Sequence, residues 1–125
     1  MARILVVDDS ATIRNYVELS VAPKGYEVVT AVDGQEGITK LEAEGPFDLL
    51  IVDLMMPNLN GFGFMNYVRE TLGDDAPKML VLTAEVERML LWQAKSAGAA
   101  AWISKPVDSE TLLAAVEKLT GAVSP

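Results

Sequence analysis

Three short apolar runs constrain the fold more than any other feature of the sequence. They are RILVV (3–7), LLIV (49–52) and MLVL (79–82), and each is far too short to span a membrane. A strand with one solvated face alternates apolar and polar residues, whereas a strand buried on both faces is apolar throughout. The three runs therefore predict the central strands of a parallel sheet that is covered by helices on both sides.

Segments with helical or strand-like patterns separate and follow these runs, so that strands and helices alternate to the end of the chain. They are a helix over 11–22 ended by Pro23 and Gly25, a strand EVVTA (27–31), helices over 35–44, 61–73 and 86–97, a strand AAWIS (100–104), and a last helix with Asp108 as its N-cap. Five βα units in one compact chain predict a doubly wound α/β sandwich of three layers. We expect one domain over 1–125, with its core at about 2–121.

The composition excludes several classes of function. The formal net charge is −8, which opposes binding to a phosphate backbone and makes a nucleic-acid role for this domain improbable. There is no His and no Cys, so catalysis by Ser-His-Asp or Cys-His and metal sites built from imidazole or thiolate are excluded. The lack of Cys is consistent with the reducing cytoplasm, where we expect the protein to lie without inserting into a membrane.

Reactive side chains follow four of the five predicted strands. Asp8 and Asp9 come after the first strand, Asp53 after the third, Thr83 after the fourth and Lys105 after the fifth. The carboxyl ends of parallel strands share one edge of the sheet, and ligands bind at that edge. We therefore expect these five side chains to form one site.

The three carboxylates of that site would repel one another if no cation were present. Mg²⁺ takes oxygen ligands, commonly one or two carboxylates together with water and phosphate oxygens. Lys105 and Thr83 offer a positive charge and a hydroxyl donor to such a phosphate group. Asp53 is then a candidate nucleophile that forms an aspartyl phosphate.

Four motifs carry a resemblance to a known family. VVDDS (6–10), VDLMMPNLNG (52–61), LTAE (82–85) and SKP (104–106) resemble the receiver domains of bacterial two-component response regulators, and the single-domain chemotaxis type most closely. The resemblance covers nearly the whole chain. It implies a flavodoxin-like five-stranded parallel sheet in the order 2-1-3-4-5, an order for which the general rule on doubly wound sheets itself cites a chemotaxis regulator.

The resemblance also implies a role for each matching residue at the metal end of the site. Asp53 would be the phosphoacceptor. Asp8 and Asp9 would hold Mg²⁺ together with Asp53, and the backbone carbonyl of Met55 would complete the protein ligands.

The remaining matching residues would act on the phosphoryl group. Thr83 would be the switch hydroxyl, and Lys105 would contact the phosphate and precede a cis peptide bond to Pro106. Trp102 departs from the family, because relatives usually carry Tyr or Phe at this position. The smaller rings swing inward on activation, and the larger indole leaves two interpretations open: Trp102 is a moving switch residue or a simple packing residue.

The resemblance implies partners and a mode of action as well. The phosphodonor would be a sensor histidine kinase or a phosphotransfer protein. A downstream protein would bind the surface of the fourth helix, fifth strand and fifth helix. The protein would be a monomer or weak dimer and would catalyse only its own phosphoryl transfer and autodephosphorylation, so it is not expected to be an enzyme in the usual sense.

Ordinary structural roles remain open for some of these residues. Asp8 and Asp9 could serve only to cap the first helix, because acids are favoured near helix N-termini. Thr83 could be a cap of the helix that follows it, and Lys105 could be a solvated surface lysine.

The helix over 86–97 predicts a second functional surface. The face that should meet the sheet consists of Val86, Leu90, Ala94 and Ala97. Leu91 then lies on the flank and Trp92 points away from the sheet, which predicts an exposed docking patch near Trp102. The alternative function is therefore a receiver fold that docks partners through these three residues independently of phosphorylation. In the opposing interpretation, Leu91 and Trp92 fold down against neighbouring side chains.

Overall fold

Five β-strands and five α-helices alternate along the chain in the computed structural model, which describes residues 2–56, 58–84 and 88–121. The strands are β1 (Arg3–Val7), β2 (Glu27–Ala31), β3 (Leu49–Val52), β4 (Lys78–Thr83) and β5 (Ala99–Ser104). The helices are α1 (Ala11–Val21), α2 (Gly34–Glu44), α3 (Gly61–Leu72), α4 (Arg88–Ser96) and α5 (Ser109–Thr120). None of these helices combines the length and the apolar character needed to cross a bilayer.

The strands form one parallel sheet in the order β2-β1-β3-β4-β5, as predicted. Val7 at the end of β1 lies opposite both Ala31 of β2 and Val52 of β3. Backbone pairing continues one residue further, because Asp8 N donates to Ala31 O at 3.1 Å and Asp53 N donates to Val7 O at 3.0 Å. The register therefore places Asp8 and Asp53 side by side at the edge of the sheet.

The three central strands are buried on both faces, which confirms the prediction from their apolar runs. Helices α2, α3 and α4 cover one face, where buried side chains such as Phe64 and Ala94 pack on Val52 and its neighbours. Helices α1 and α5 cover the other face, where Val17 and Leu112 pack on the alternate strand residues. Each fully buried aliphatic or aromatic side chain contributes about 1.5–3 kcal/mol, so these layers hold the sheet edge rigidly.

Four helices begin at a side-chain cap. Ser10, Asp33, Asn60 and Asp108 each accept a hydrogen bond from the backbone N–H three residues later, at distances of 2.7–3.3 Å. The Asp108 cap was predicted from the sequence, and the structure confirms it. Each such cap contributes about 1 kcal/mol. They fix the start of each helix directly behind the loops that leave the strands.

Several boundaries differ from the prediction by one residue: α2 begins at Gly34, α3 ends at Leu72, β4 is one residue longer at each end, and β5 begins at Ala99. The predicted helix over 11–22 ends as an α-helix at Val21 and continues as a 3₁₀ turn, Ala22–Lys24, because Pro23 has no N–H for a further α-helical bond. Gly25 then reverses the chain at φ 98°. The predicted start of the fourth helix at Val86 and the end of the LTAE motif at Glu85 lie outside the described residues.

Candidate functional site

Three carboxylates meet at the carboxyl edge of the sheet. Asp8, Asp9 and Asp53 each place one carboxylate oxygen within 4.8 Å of the other two. Asp8 and Asp53 are buried and Asp9 is exposed. The extension of the β1–β3 pairing brings Asp8 and Asp53 together, and the turn into α1 brings Asp9 to the open side. The structure thus joins the three acids as the sequence predicts.

Lys105 lies against two of these acids. Its Nζ is 2.8 Å from Asp8 Oδ2 and 3.5 Å from Asp53 Oδ2. Its backbone N–H donates to Thr83 O at 2.8 Å, which anchors the residue to the end of β4. The Lys105–Pro106 peptide bond is cis, as predicted, and so is the Gly45–Pro46 bond, which the sequence did not reveal. Lys105 is therefore part of the site and not a solvated surface lysine.

The surroundings of Asp53 raise the pKa of its carboxyl group above the ordinary value. The largest cause is burial, and the second is the negative charge of Asp8. The positive charge of Lys105 and a hydrogen bond from the Met55 backbone oppose the shift without cancelling it. The site therefore carries more negative charge than its lysine neutralises.

Asp8 is held in place by two groups from the start of α1. Ser10 N donates to Asp8 Oδ1 at 2.9 Å, and Arg14 Nη1 donates to the backbone carbonyl of Asp8 at 2.7 Å. The sequence analysis missed Arg14. The sequence does contain a signal for this contact. Where a strand ends in acidic residues and a helix follows, a basic residue in the first turn of that helix faces the end of the strand.

The loop after Asp53 returns close to its own start. Gly61 N donates to Leu54 O at 3.1 Å, and Leu54 is buried. A Cβ atom on Gly61 would lie 2.2 Å from the carbonyl oxygen of Asp53, so only glycine fits at this contact. The Met55 side chain is exposed at the rim of the site.

The donor set fits Mg²⁺. The three clustered side chains offer only carboxylate oxygens, the ligand type that hard divalent cations prefer, and the chain has neither His nor Cys for a softer metal. Two of the carboxylates are buried beside a single lysine, so a divalent cation would balance charge that the protein leaves in excess.

Comparison of the chain with known proteins shows which protein family it belongs to. The family model of the response regulator receiver domain matches residues 4–117, which is most of the chain. The chain belongs to the response regulator receiver family. Receiver domains serve phosphorylation-based signalling: they take phosphate from histidine kinases, bind Mg²⁺ at an acidic cluster and act on downstream partners.

Individual receiver proteins resemble this one along most of their length. A probable chemotaxis protein CheY of Rhizobium etli is 33% identical over 122 residues, which cover 97% of this chain and 94% of that protein. The structure of the chemotaxis response regulator CheY4 of Vibrio cholerae superposes with a TM-score of 0.88 at 38% identity, covering 95% of this chain and 98% of that one. The response regulator TrrA of Thermotoga maritima, solved in complex with Mg²⁺ and BeF, superposes with a TM-score of 0.83 at 32% identity over 95% of this chain and 99% of that one.

Two further residues predicted from the sequence, Thr83 and Trp102, lie on β4 and β5 of this receiver. Thr83 is buried at the end of β4, and Lys105 is bonded to its carbonyl. Trp102 lies on the edge strand β5 opposite Val81, so its side chain is on the sheet face that α4 covers. The indole is 43% exposed, which leaves it accessible at the edge of the receiver.

The docking patch predicted at Leu91, Trp92 and Trp102 is smaller than the sequence indicates, and its three residues do not share one groove. Trp92 is exposed, as expected, but it lines a groove between α3 and α4 together with Phe62 and Asn66. Leu91 was predicted to be exposed and is partly buried, whereas Ala94 and Ala97 of the predicted sheet-facing side are buried as expected. Trp102 is not among the residues that line this groove.

Proposed function

We propose that this receiver is a phosphorylation-dependent signalling switch in which Asp53 accepts the phosphoryl group. The convergence of Asp8, Asp9 and Asp53 beside Lys105 is the observation that supports this proposal most strongly. Asp53 is the only one of the three acids that follows the central strand β3, and it is buried beside both the other acids and the lysine. A nucleophile there is within reach of every charged group of the site.

In the transfer step a carboxylate oxygen of Asp53 attacks the phosphorus of a phosphohistidine. The new O–P bond forms as the N–P bond breaks, and the imidazole leaves and takes up a proton. The chain has no His, so another protein must supply the donor, either a sensor histidine kinase or a phosphotransfer protein. Positioning and charge neutralisation dominate catalysis of phosphoryl transfer. The receiver would thus catalyse only its own phosphorylation and autodephosphorylation.

Asp8, Asp9 and Asp53 would hold Mg²⁺ with the backbone carbonyl of Met55. When bound, the ion supplies positive charge that offsets the repulsion between the acids and the incoming phosphoryl oxygens. The ion would also favour the ionised form of Asp53, whose pKa is raised by burial and by the charge of Asp8. The Arg14 contact keeps the Asp8 backbone in place while its side chain exchanges partners.

The signal would leave the site through Thr83 and Lys105. A phosphoryl group on Asp53 brings new anionic oxygens to a lysine that already lies 3.5 Å from that residue. Thr83 is buried at the end of β4 and its backbone carbonyl is bonded to the same lysine, so we assign the role of switch hydroxyl to it. The change would pass to Trp102 and to the α4–β5–α5 surface, where a downstream protein would bind. The receiver would be cytoplasmic and would be a monomer or weak dimer.

Mass spectrometry after incubation with acetyl phosphate and Mg²⁺ tests this function. The wild-type protein should gain the mass of one phosphoryl group, and tryptic mapping should place it on Asp53. An Asp53→Ala variant should gain none. Persistence of the adduct in that variant would show that the phosphoacceptor is a different residue.

A second candidate function is docking that does not depend on phosphorylation, through Leu91, Trp92 and Trp102. Trp92 is 70% exposed and Trp102 43% exposed, an unusual amount of accessible indole for a small domain. The acidic surface, with a net charge of −8, would favour a basic protein partner rather than nucleic acid. Equal affinity for a partner with and without beryllofluoride, which mimics the phosphoryl group, would favour this function over the switch.

A further inference from the structure

A side-chain contact outside the acidic site ties the loop after Asp53 to the start of α2. Asp33 uses its two carboxylate oxygens on two different elements. Oδ1 accepts from the backbone of Glu36, at 2.8 Å, and caps α2. Oδ2 accepts from Asn58 Nδ2, at 2.7 Å, across 25 residues of sequence. Asp33 is buried and Asn58 is exposed, so the bond joins the helix start to the surface of the loop.

The loop side of this contact has an uncommon backbone conformation. Asn58 lies in the left-handed region at φ 65°, which asparagine tolerates better than most residues. The next residue, Leu59, accepts a hydrogen bond from Gly34 N at 2.9 Å. Two successive loop residues are thus bonded to two successive residues of the α2 start.

The α2 side of the contact is rigid. Glu36 Oε1 accepts from Val32 N at 3.0 Å, one residue before the N-cap Asp33, so the Glu36 side chain also holds the chain that enters α2. A Cβ on Gly34 would lie 2.3 Å from Leu59 O, so the loop backbone packs directly on the helix start. The anchor therefore belongs to the start of a well-packed helix and not to a second loop.

The segment held in this way contains a candidate metal ligand. Met55 lies between Asp53, which is fixed by its backbone bond to Val7, and Asn58, which is fixed by Asp33. Met55 itself has an exposed side chain, so little side-chain packing restrains it. The orientation of its carbonyl group consequently depends on how firmly the two ends of the segment are held.

We propose that Asp33 and Asn58 form a positioning pair that holds Asn58 and Leu59 against the start of α2, and thereby orients the Met55 carbonyl for Mg²⁺ binding. This proposal rests on the proposed function, because it assigns Mg²⁺ to the acidic cluster. The pair touches neither the ion nor the phosphoryl group. It removes conformational freedom from the loop before the ion arrives, so binding does not have to supply that ordering free energy.

Two variants remove the contact while preserving the local structure. Asn58→Gly retains a residue suited to positive φ and deletes the side chain that carries the amide, but it also adds backbone freedom, so Asp33→Ser is the variant that tests the contact alone. Asp33→Ser retains an oxygen that caps α2 and deletes the oxygen that accepts from Asn58. The probe is MgCl₂ alone, titrated into ¹⁵N-labelled protein of residues 1–125 and followed by the amide signals of residues 53–56 and 58–61. The same spectra report whether each variant is folded.

Each variant should bind Mg²⁺ about tenfold more weakly than the wild-type protein, the effect usual for outer partners of a metal site. The double variant should be no weaker than the single ones, because both remove the same contact. Tyr67→Phe is the matched control, since it deletes a 2.9 Å bond between α3 and Glu42 of α2 that is remote from the acids. Its Mg²⁺ affinity should equal that of the wild-type protein.

Three outcomes would count against the pair. Wild-type affinity in both single variants would overturn the positioning role and leave the proposed function standing. Independent, additive losses in the double variant would show that the two residues act separately, which overturns the pair as a unit. Failure of the wild-type protein itself to bind Mg²⁺ would overturn the proposed function, and the positioning role with it.

Discussion

Lys105 Nζ lies 2.8 Å from Asp8 Oδ2, closer than the 3.5 Å that separates it from Asp53. The carboxylate of Asp8 is almost fully buried, with 2% of its side chain exposed, so it needs a cationic partner. The lysine provides that partner, and the same carboxylate is a candidate metal ligand. If Mg²⁺ binds, it can replace Lys105 as the cation that balances the charge of Asp8. Lys105 would then be able to contact a phosphoryl group on Asp53.

Removing the lysine should destabilise the Mg²⁺-free protein. Lys105→Met leaves Asp8 buried without its ion pair, and loss of one partner of a buried pair costs about 3 kcal/mol. Urea unfolding in the presence of a chelator measures the loss. Lys40→Met is the control, because the Lys40–Glu44 pair at 3.4 Å is partly exposed and should contribute less than about 1 kcal/mol. Equal losses in the free energy of unfolding would mean that the Lys105–Asp8 pair contributes no more stability than a partly exposed ion pair.

Neutralising Asp53 should stabilise the protein near neutral pH when Mg²⁺ is absent. The folded-state pKa of this carboxyl is raised, so the folded protein binds its proton more tightly than the unfolded chain does. Ionised Asp53 therefore costs stability above the folded-state pKa, and that cost is absent below the ordinary pKa of about 3.9. Asp53→Asn should raise the free energy of unfolding by about 1 kcal/mol at about pH 7.

The sign of that effect is checked by its pH dependence. The advantage of Asp53→Asn should shrink as the pH falls through the folded-state pKa and approach zero near pH 4, at about the ordinary pKa. Denaturant titrations of both proteins over this range, without Mg²⁺, supply the comparison. A wild-type protein more stable than Asp53→Asn at neutral pH would contradict the raised pKa.

Mg²⁺ should stabilise the folded receiver through its acidic cluster. A ligand that binds only the folded state at ten times its Kd adds about 1.4 kcal/mol. Thermal unfolding with and without MgCl₂ measures this gain, which Asp8→Asn should largely lose. Asp74→Asn should retain it, because Asp74 is an exposed acid in the turn after α3. Loss of the gain in both variants would indicate a general effect of charge rather than a site.

Two glycines of α3 should respond very differently to substitution by alanine. A Cβ on Gly61 would lie 2.2 Å from the backbone oxygen of Asp53, whereas a Cβ on Gly63 would meet the movable end of the Leu59 side chain. Gly61→Ala must shift backbone beside Asp53, so we expect a loss of about 1–3 kcal/mol in the free energy of unfolding and, if Asp53 is the phosphoacceptor, slower phosphorylation. Gly63→Ala should be nearly neutral, because the better helix propensity of alanine offsets a small side-chain adjustment. Denaturant unfolding and acetyl phosphate kinetics distinguish the two variants.

The fluorescence of Trp102 should report activation. The chain has two tryptophans, so a Trp92→Phe background leaves Trp102 as the only one. If the switch operates, Mg²⁺ with beryllofluoride should move the 43% exposed indole to a more buried position and shift its emission to shorter wavelength. Adding Thr83→Ala should suppress the shift. An unchanged emission spectrum would show that the indole is too large to follow the hydroxyl, and would favour phosphorylation-independent docking.

The local pattern of the chain was sufficient to predict most elements and the members of the acidic cluster. Unbroken apolar runs predicted the buried central strands, and the acids at their ends predicted a shared site. The relation between Arg14 and Asp8, and that between Asp33 and Asn58, were not predictable in the same way. Each joins groups whose distance depends on how a helix packs or how a loop folds back, and neither leaves a periodic signal.

The sequence by itself determined the parallel α/β architecture and the chemistry of the sheet edge, because burial and strand direction follow from residue type and order. Only the tertiary structure decided that Lys105 pairs first with Asp8, that Leu91 is partly buried and that Trp92 faces α3. These outcomes depend on the rotation of helices against the sheet and on competition between nearby charges. Such energies arise from contacts between distant parts of the chain, so they exist only after the fold has formed.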